Sequence, residues 1–235
     1  MEQDLWLTAI MGTNCYKVNC DSINEYLYIR NSLSDIESSF ITVKTRVKPE
    51  NSTYGSKKQI RWVSSMNSYI WDCSNPISRK KDVNIYAYEP NDFIEAVEIA
   101  GNSFSTDRFH CDPRISKLFA NKIKQEWLSA NLKESRKTTN LIYKHPNNLK
   151  VVAFCSLLVR DDFLLIDLIA VSQEFRGRGI GKALISSSQL IAADSGMSLL
   201  VGTQVENNAN QLYVTSGFVA QEQTFVFHDT NEIIK

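Results

Sequence analysis

From Val171 to Lys182 the chain reads Val-Ser-Gln-Glu-Phe-Arg-Gly-Arg-Gly-Ile-Gly-Lys. Three glycines in five residues let a backbone take unusual dihedrals and approach a ligand closely. The segment follows an apolar run and precedes an amphipathic one, so the turn leads into a helix N-terminus. The unpaired amides and positive dipole end there suit a phosphate or pyrophosphate. Arg176, Arg178 and Lys182 add cations for further phosphates. A P-loop needs Ser or Thr after Gly-Lys and a glycine five residues before the second glycine. Here Ala183 follows Lys182, and residue 176 is arginine. A dinucleotide fingerprint from Gly177 and Gly179 needs a third glycine at 182, which is lysine. What remains is R-x-x-G-x-G on Arg176, Gly179 and Gly181, against the plain reading of a tight strand-to-helix turn with no ligand.

The elements that position this loop follow from periodicity. Two apolar runs, Val151–Val159 and Phe163–Val171, are strands joined at hairpin spacing by Arg160-Asp161-Asp162. Downstream the pattern predicts a helix over 182–194, a strand over 199–203, a short helix over 208–215 and a strand over 218–227. Upstream it predicts a strand over 83–88, a helix from Pro90 through about 100, and a second helix from Asp112-Pro113 towards 132, with proline in the first turn. The first third reads as a small α/β unit: a helix over 22–35, a strand over 40–47, a helix over 55–66 and a short strand over 69–71. A polar stretch, 75–82, is the candidate linker. The order from Val83 onward describes a mixed α/β layer rather than a doubly wound parallel sheet.

Composition narrows the function classes. Lys+Arg and Asp+Glu are 26 each over 235 residues, which argues against a generally basic nucleic-acid binder. The acidic start lacks a signal peptide's basic region, and no window approaches 18 uninterrupted apolar residues. The five cysteines and three histidines fall in no disulfide or metal-ligand pattern. These features predict a soluble, cytoplasmic, metal-free chain that does not engage nucleic acid or membrane.

A second segment bears on the loop. Asn207-Asn-Ala-Asn-Gln-Leu-Tyr-Val-Thr-Ser-Gly-Phe218 resembles N-x-x-A-x-x-L-Y-x-x-x-G-F, with the asparagine-to-tyrosine spacing one residue shorter. Together with R-x-x-G-x-G after a buried strand, it resembles the acyl-CoA site of the GNAT N-acyltransferase superfamily. The resemblance implies a GNAT fold, an α+β mixed sheet, preceded by a smaller truncated α/β domain: 1–80 for the N-terminal unit, 81–235 for the acyl-CoA-binding catalytic domain. It implies acyl-CoA as co-substrate, held by Ile169, Val171, Arg176, Gly177, Arg178, Gly179, Ile180, Gly181, Lys182 and Asn207. The amides of Ile169 or Val171 become oxyanion donors on a strand splayed from its neighbour, and Tyr213 the general acid for the departing thiolate.

Along its length the chain is also similar to nucleotide-sugar N-acyltransferases of the dTDP-fucosamine acetyltransferase type. Met11-Gly-Thr-Asn14, Thr106-Asp-Arg-Phe109, Lys124-Gln-Glu-Trp127 and Gly202-Thr-Gln204 carry that likeness. It implies an acetyl or 3-hydroxybutyryl group moved to the amine of a dTDP-linked amino-dideoxyhexose for surface polysaccharide such as O-antigen, by a homodimer. Gly12, Asn14, Arg108 and Phe109 become acceptor contacts, and Asp72 a base acting through water. Arg46 is either a diphosphate partner or a solvated strand arginine, and His110 ranks below Asp72 as a base. A GNAT enzyme acting on a protein or peptide amine and a non-catalytic acyl-CoA-binding regulator stay open as alternatives.

Overall fold

The computed structural model describes residues 1–31, 39–51, 53–54, 59–75, 82–133, 137–231 and 234. Among these, one mixed sheet runs from end to end. In chain order its strands are β1 (Glu2–Gln3), β2 (Asn14–Cys20), β3 (Ser39–Thr45), β4 (Thr53–Tyr54), β5 (Ile60–Trp71), β6 (Ile85–Ala87), β7 (Thr138–Lys144), β8 (Val151–Val159), β9 (Phe163–Val171), β10 (Ser198–Gln204) and β11 (Val219–Asp229). Their spatial order is β1-β2-β3-β11-β5-β10-β9-β8-β7-β6, with β4 also on β5. The helices are α1 (Leu5–Met11), α2 (Ile23–Asn31), α3 (Phe93–Ser103), α4 (Lys117–Leu132), α5 (Ile180–Asp194) and α6 (Ala209–Thr215).

Burial explains which helices cover which face. β8 is apolar at nearly every position because it is covered on both sides. Leu184 and Ile185 of α5 join Ala153, Cys155 and Leu157 of β8 in one core; Ala96 and Ala100 of α3 and Leu128 of α4 join Val151 and Phe154 in another. β9 alternates buried and half-buried residues without interruption, yet it changes faces part-way. Leu164 and Ile166 belong to the α5 core, Leu168 and Ala170 to the α3/α4 core. The switch is a β-bulge: Ser156 pairs with Leu168 and Leu157 with Ile166, which leaves Asp167 as the extra residue. Its carboxylate accepts hydrogen bonds from Trp127 Nε1 and Asn131 Nδ2, both at 2.6 Å, which anchor the bulge to α4.

Several expectations are corrected. The helix over 55–66 is replaced, where described, by the strand Ile60–Trp71; residues 55–58 lie outside the described residues. This strand is hydrogen-bonded along both edges, by β10 and by β11, and pairing partners that remote leave no local trace. The short strand over 69–71 is its end. The helix expected from Asp112-Pro113 begins instead at Lys117, capped by the Ser116 hydroxyl, which accepts from the Phe119 amide. Asp112 is drawn elsewhere: it accepts from the Arg114 backbone and guanidinium and pairs with His228 of β11. β7 is an additional strand that the periodicity does not predict. The helix over 22–35 is present through Asn31, and 32–35 lie outside the described residues, as do 76–81 of the expected linker. The sheet is continuous across residue 80, because β5 lies between two strands from beyond it.

Candidate active site

The gap that positions the chemistry is the parting of β9 and β10. They are hydrogen-bonded in parallel from Phe163↔Ser198 to Ile166↔Val201 and no further. Beyond the Asp167 bulge β9 follows β8 alone, while β10 follows β5 as far as Gln204. The direction of the freed amides can be worked out. The Ser172 amide donates to Val152 O of the β8 side at 2.9 Å. Alternation then turns residues 172 and 170 towards β8, and 171 and 169 towards the gap. Consistently, the Val171 carbonyl accepts from Arg176 Nε at 3.0 Å on that other side. Ile169 and Val171, expected as donors from the sequence, thus both aim their N–H groups into the opening.

At the gap's end lies the glycine turn. Gly177 and Gly179 have φ of +76° and +80°, a region side chains rarely adopt, and a Cβ at either would meet nothing within 4 Å. Both are therefore required for backbone conformation. Gly181 differs, since a Cβ there would lie 3.3 Å from Leu212 Cδ2 of α6 and would point into the protein. Gly179 caps α5, so the first-turn amides of Ile180, Gly181 and Lys182 are open to an anion. The cations are only partly as expected. Lys182 is exposed. Arg176 holds Val171 O and Ser103 O, and Arg178 holds Glu174 O and stacks 5.1 Å from the Phe175 ring. Their first task is to shape the turn. The positive dihedrals and gap-facing amides fit an acyl-CoA phosphate and pantetheine arm.

Tyr213 of α6 lies beside the opening, 2% exposed in the α5 core. Its ring centroid is 5.9 Å from Tyr69 of β5 and 5.7 Å from Phe218. Burial, reinforced by Cys155 and Tyr69, pushes its phenol well above the ordinary value, which keeps it protonated. Sequence reasoning missed the groups around it. The Tyr69 hydroxyl donates to Asn210 Oδ1 at 2.7 Å, and Asn67 Nδ2 to the same oxygen at 3.1 Å. Asn210 Nδ2 in turn donates to the carbonyls of Gln204, Val205 and Asn207. Asn210 thus fixes α6 against the end of β10. Asn207, expected at the cofactor, uses its side-chain oxygen locally to accept from the Ala209 amide at 2.9 Å.

The expected acceptor residues divide. Arg108 donates from Nη1 to Thr42 Oγ1 of β3 at 2.8 Å, half-buried between the α3–α4 connection and the sheet. Phe109 is corrected: it is 0% exposed, packed with Leu7, Phe40 and Ile123, and so forms core rather than a ligand surface. Gly12 is exposed with φ +71°, the left-handed cap of α1, and Asn14 opens β2. Neither is near the gap, since β3, β11 and β5 intervene between β2 and β10. Arg46 is exposed and faces Glu222 and Asp21 at 3.8 and 4.0 Å.

Asp72 is also corrected. It follows Trp71, which pairs with Leu199 where β9 and β10 are still joined. That is roughly 17 Å along β5 from the Met66 level at which β10 ends. It is exposed, and its carboxylate accepts from the Ser74 amide and hydroxyl, which hold its pKa below the usual carboxylate range. His110 is locked at both nitrogens, by Asp107 and, at 2.8 Å, by Asn121 Oδ1. Burial opposes its charged form, but the Asp107 carboxylate outweighs burial and holds its pKa up; with both nitrogens engaged, the ring has no free position to take a proton from an acceptor.

Residues 141–220 match the acetyltransferase (GNAT) domain family. Over 142 residues the chain is 34% identical to the spore coat polysaccharide biosynthesis protein SpsD of Bacillus subtilis (strain 168). The match covers 60% of this chain and 48% of that protein, so the chain spans about half the length of that relative. Among solved structures, a functionally unknown conserved protein from Staphylococcus epidermidis superposes with TM-score 0.60 at 19% identity, over 93% of this chain and 84% of that one. A GNAT-family acetyltransferase from Novosphingobium aromaticivorans gives 0.58 at 16%, over 85% and 78%. Saccharomyces cerevisiae N-myristoyltransferase with bound myristoyl-CoA gives 0.55 at 11%, over 83% and 52%. These likenesses establish the fold alone. With the splayed strands, the glycine turn and the helix of Tyr213 all inside the matched segment, the chain carries a GNAT acetyltransferase domain over residues 141–220.

Proposed function

We propose that this protein is an acyl-CoA-dependent N-acyltransferase acting on the amino group of a nucleotide-linked amino sugar. The observation that carries the acyl-transfer reading is the pair of amides, Ile169 and Val171, turned into a gap bounded by the glycine turn and by Tyr213. The acceptor amine attacks the thioester carbonyl and the carbonyl oxygen becomes an oxyanion facing those amides. One such donor is typically worth about 3 kcal/mol. As the tetrahedral intermediate collapses, the C–S bond breaks, Tyr213 gives its proton to the departing thiolate, and the proton shed by the attacking nitrogen restores the phenol. Burial keeps the proton on the phenol until the thiolate forms beside it. Asp72 has no part in this account, and the ammonium proton of the acceptor passes to solvent before attack.

The acceptor class is supported by SpsD, a relative named for polysaccharide biosynthesis, and by the cations on the acceptor face described below. Those cations disfavour a lysine-bearing peptide, the alternative acceptor. In this reading residues 1–80 contribute acceptor contacts and 81–235 hold acyl-CoA, the acyl group is acetyl or 3-hydroxybutyryl, and the nucleotide is dTDP. A cytoplasmic homodimer serving surface polysaccharide belongs to the same proposal. The test is thiol release from acetyl-CoA, then from 3-hydroxybutyryl-CoA, with a panel of dTDP-amino-dideoxyhexoses. Release with one sugar, strongly reduced in Tyr213→Phe, is the expected result. Turnover on lysine peptides alone, with every sugar silent, refutes the sugar acceptor.

A further inference from the structure

Two cations on one face of the sheet make no ion pair among the described residues, although Asp4 and Asp107 act on Arg108 from farther off. Lys44 and Thr42 alternate to the same side of β3, and Arg108 meets that side through its hydrogen bond to Thr42. Both cations are half-buried and keep some access to solvent. Among the described residues neither has a carboxylate oxygen within 4.0 Å, whereas their cationic neighbours do: Lys17 pairs with Glu2 at 3.0 Å and Lys124 with Asp107 at 3.7 Å. Burial, then Arg108, then Lys17 lower the Lys44 ammonium to about 8. A third group lies on the same line. Lys44 pairs with Val226 of β11, and Val226 with Ser64 of β5, so all three share a face. Ser64 is 6% exposed, and its hydroxyl has no hydrogen-bond partner among the described residues.

The line leads to the reaction gap. Ser65, next to Ser64, accepts from the Val205 amide where β10 ends. From β3 through β11 and β5 to β10 are three strand spacings, roughly 14 Å. On the same face, Gly202 of β10 offers no side chain, only Met66 standing 3.3 Å from where its Cβ would be.

We propose that Lys44 and Arg108 bind the diphosphate of the acceptor, with the Ser64 hydroxyl as a further donor, and that the sugar extends from there across β5 to the gap. This deepens the nucleotide-sugar reading and rests on it. It also moves the diphosphate from Arg46, which faces two carboxylates in solvent, to cations with no ion pair among the described residues.

The test is calorimetric binding of dTDP, and separately of inorganic pyrophosphate, to the full chain, with melting curves to verify folding. Wild type should bind both; Lys44→Gln and Arg108→Gln should each lose roughly 30-fold or more, and Lys44→Arg should retain most of the affinity. Unchanged dTDP binding in folded Lys44→Gln, or a loss confined to Arg46→Gln, overturns the assignment while leaving a nucleotide-sugar acceptor intact. Pyrophosphate binding that needs Lys44 and Arg108, in a protein that acylates no nucleotide sugar, supports the anion site and overturns the acceptor instead. Wild type that binds neither ligand overturns both.

Discussion

Replacing Gly179 by alanine separates the backbone role of the turn from its packing. At φ +80° an alanine meets no neighbouring atom, so its whole cost is the left-handed conformation, about 1–2 kcal/mol. The turn is exposed and can escape that cost by relaxing, which withdraws the first-turn amides of α5 from the phosphates. At about 1.4 kcal/mol per tenfold, the KM for acetyl-CoA should rise roughly 5- to 30-fold with kcat little changed. Gly181→Ala is the internal control. Its φ is ordinary, its Cβ points at the flexible end of Leu212, and alanine gains up to about 1 kcal/mol of helix propensity. That variant should melt at or above the wild-type temperature with KM within a few-fold. Steady-state kinetics on both variants, with acceptor saturating, decide the matter. An unchanged KM in Gly179→Ala, or a larger KM effect in Gly181→Ala, refutes the argument that the positive dihedrals hold the phosphate.

Other perturbations test other parts of the argument. Tyr213→Phe keeps the packed ring and should lower kcat by about 10²–10⁴ while acetyl-CoA binding by calorimetry stays the same. Asp72→Asn should leave turnover within about twofold, as exposed positions usually do; a collapse would restore the carboxylate as base. Phe109→Ala should cost about 3–5 kcal/mol of unfolding free energy in denaturant titration, the mark of a core ring. Lys44→Met should stabilise the protein. The folded ammonium titrates near 8 and the unfolded one at 10.5, so charging it in the fold costs up to about 3 kcal/mol below pH 8. The difference should shrink as pH rises from 8 towards 10.5. Melting curves of variant and wild type at pH 7 and pH 10 give the sign.

The parts of the site that lie within one stretch of chain were legible in advance. Arg176, Gly179 and Gly181 declare a turn into a helix, and the runs ending at Val159 and Val171 declare the strands beside it. The Asp167 bulge was not legible, because β9 keeps an unbroken period of two on paper while the chain changes faces. Lys44 was hidden for a related reason: in a strand alternating with Ile41 and Val43 a lysine reads as solvent-facing, yet β3 is covered on both sides. Arg108 and Phe109 are neighbours whose fates only packing could separate, one half-buried against Thr42 of β3 and one in the core. Asp72 was a base only by the resemblance to nucleotide-sugar acyltransferases, and the register of Trp71 with Leu199 reveals which end of the sheet it occupies.

The location of β5 bears on how the chain is made. Its two flanking strands, β10 and β11, leave the ribosome long after it, so this strand waits with its edges bare, apart from the two-residue β4, while the chain between is synthesised. Pairings of such large sequence separation make folding slow, and an unpaired apolar strand is the segment most apt to associate with another chain in the meantime. Chaperone capture during translation should therefore centre on residues 60–71 and end once 219–229 have emerged.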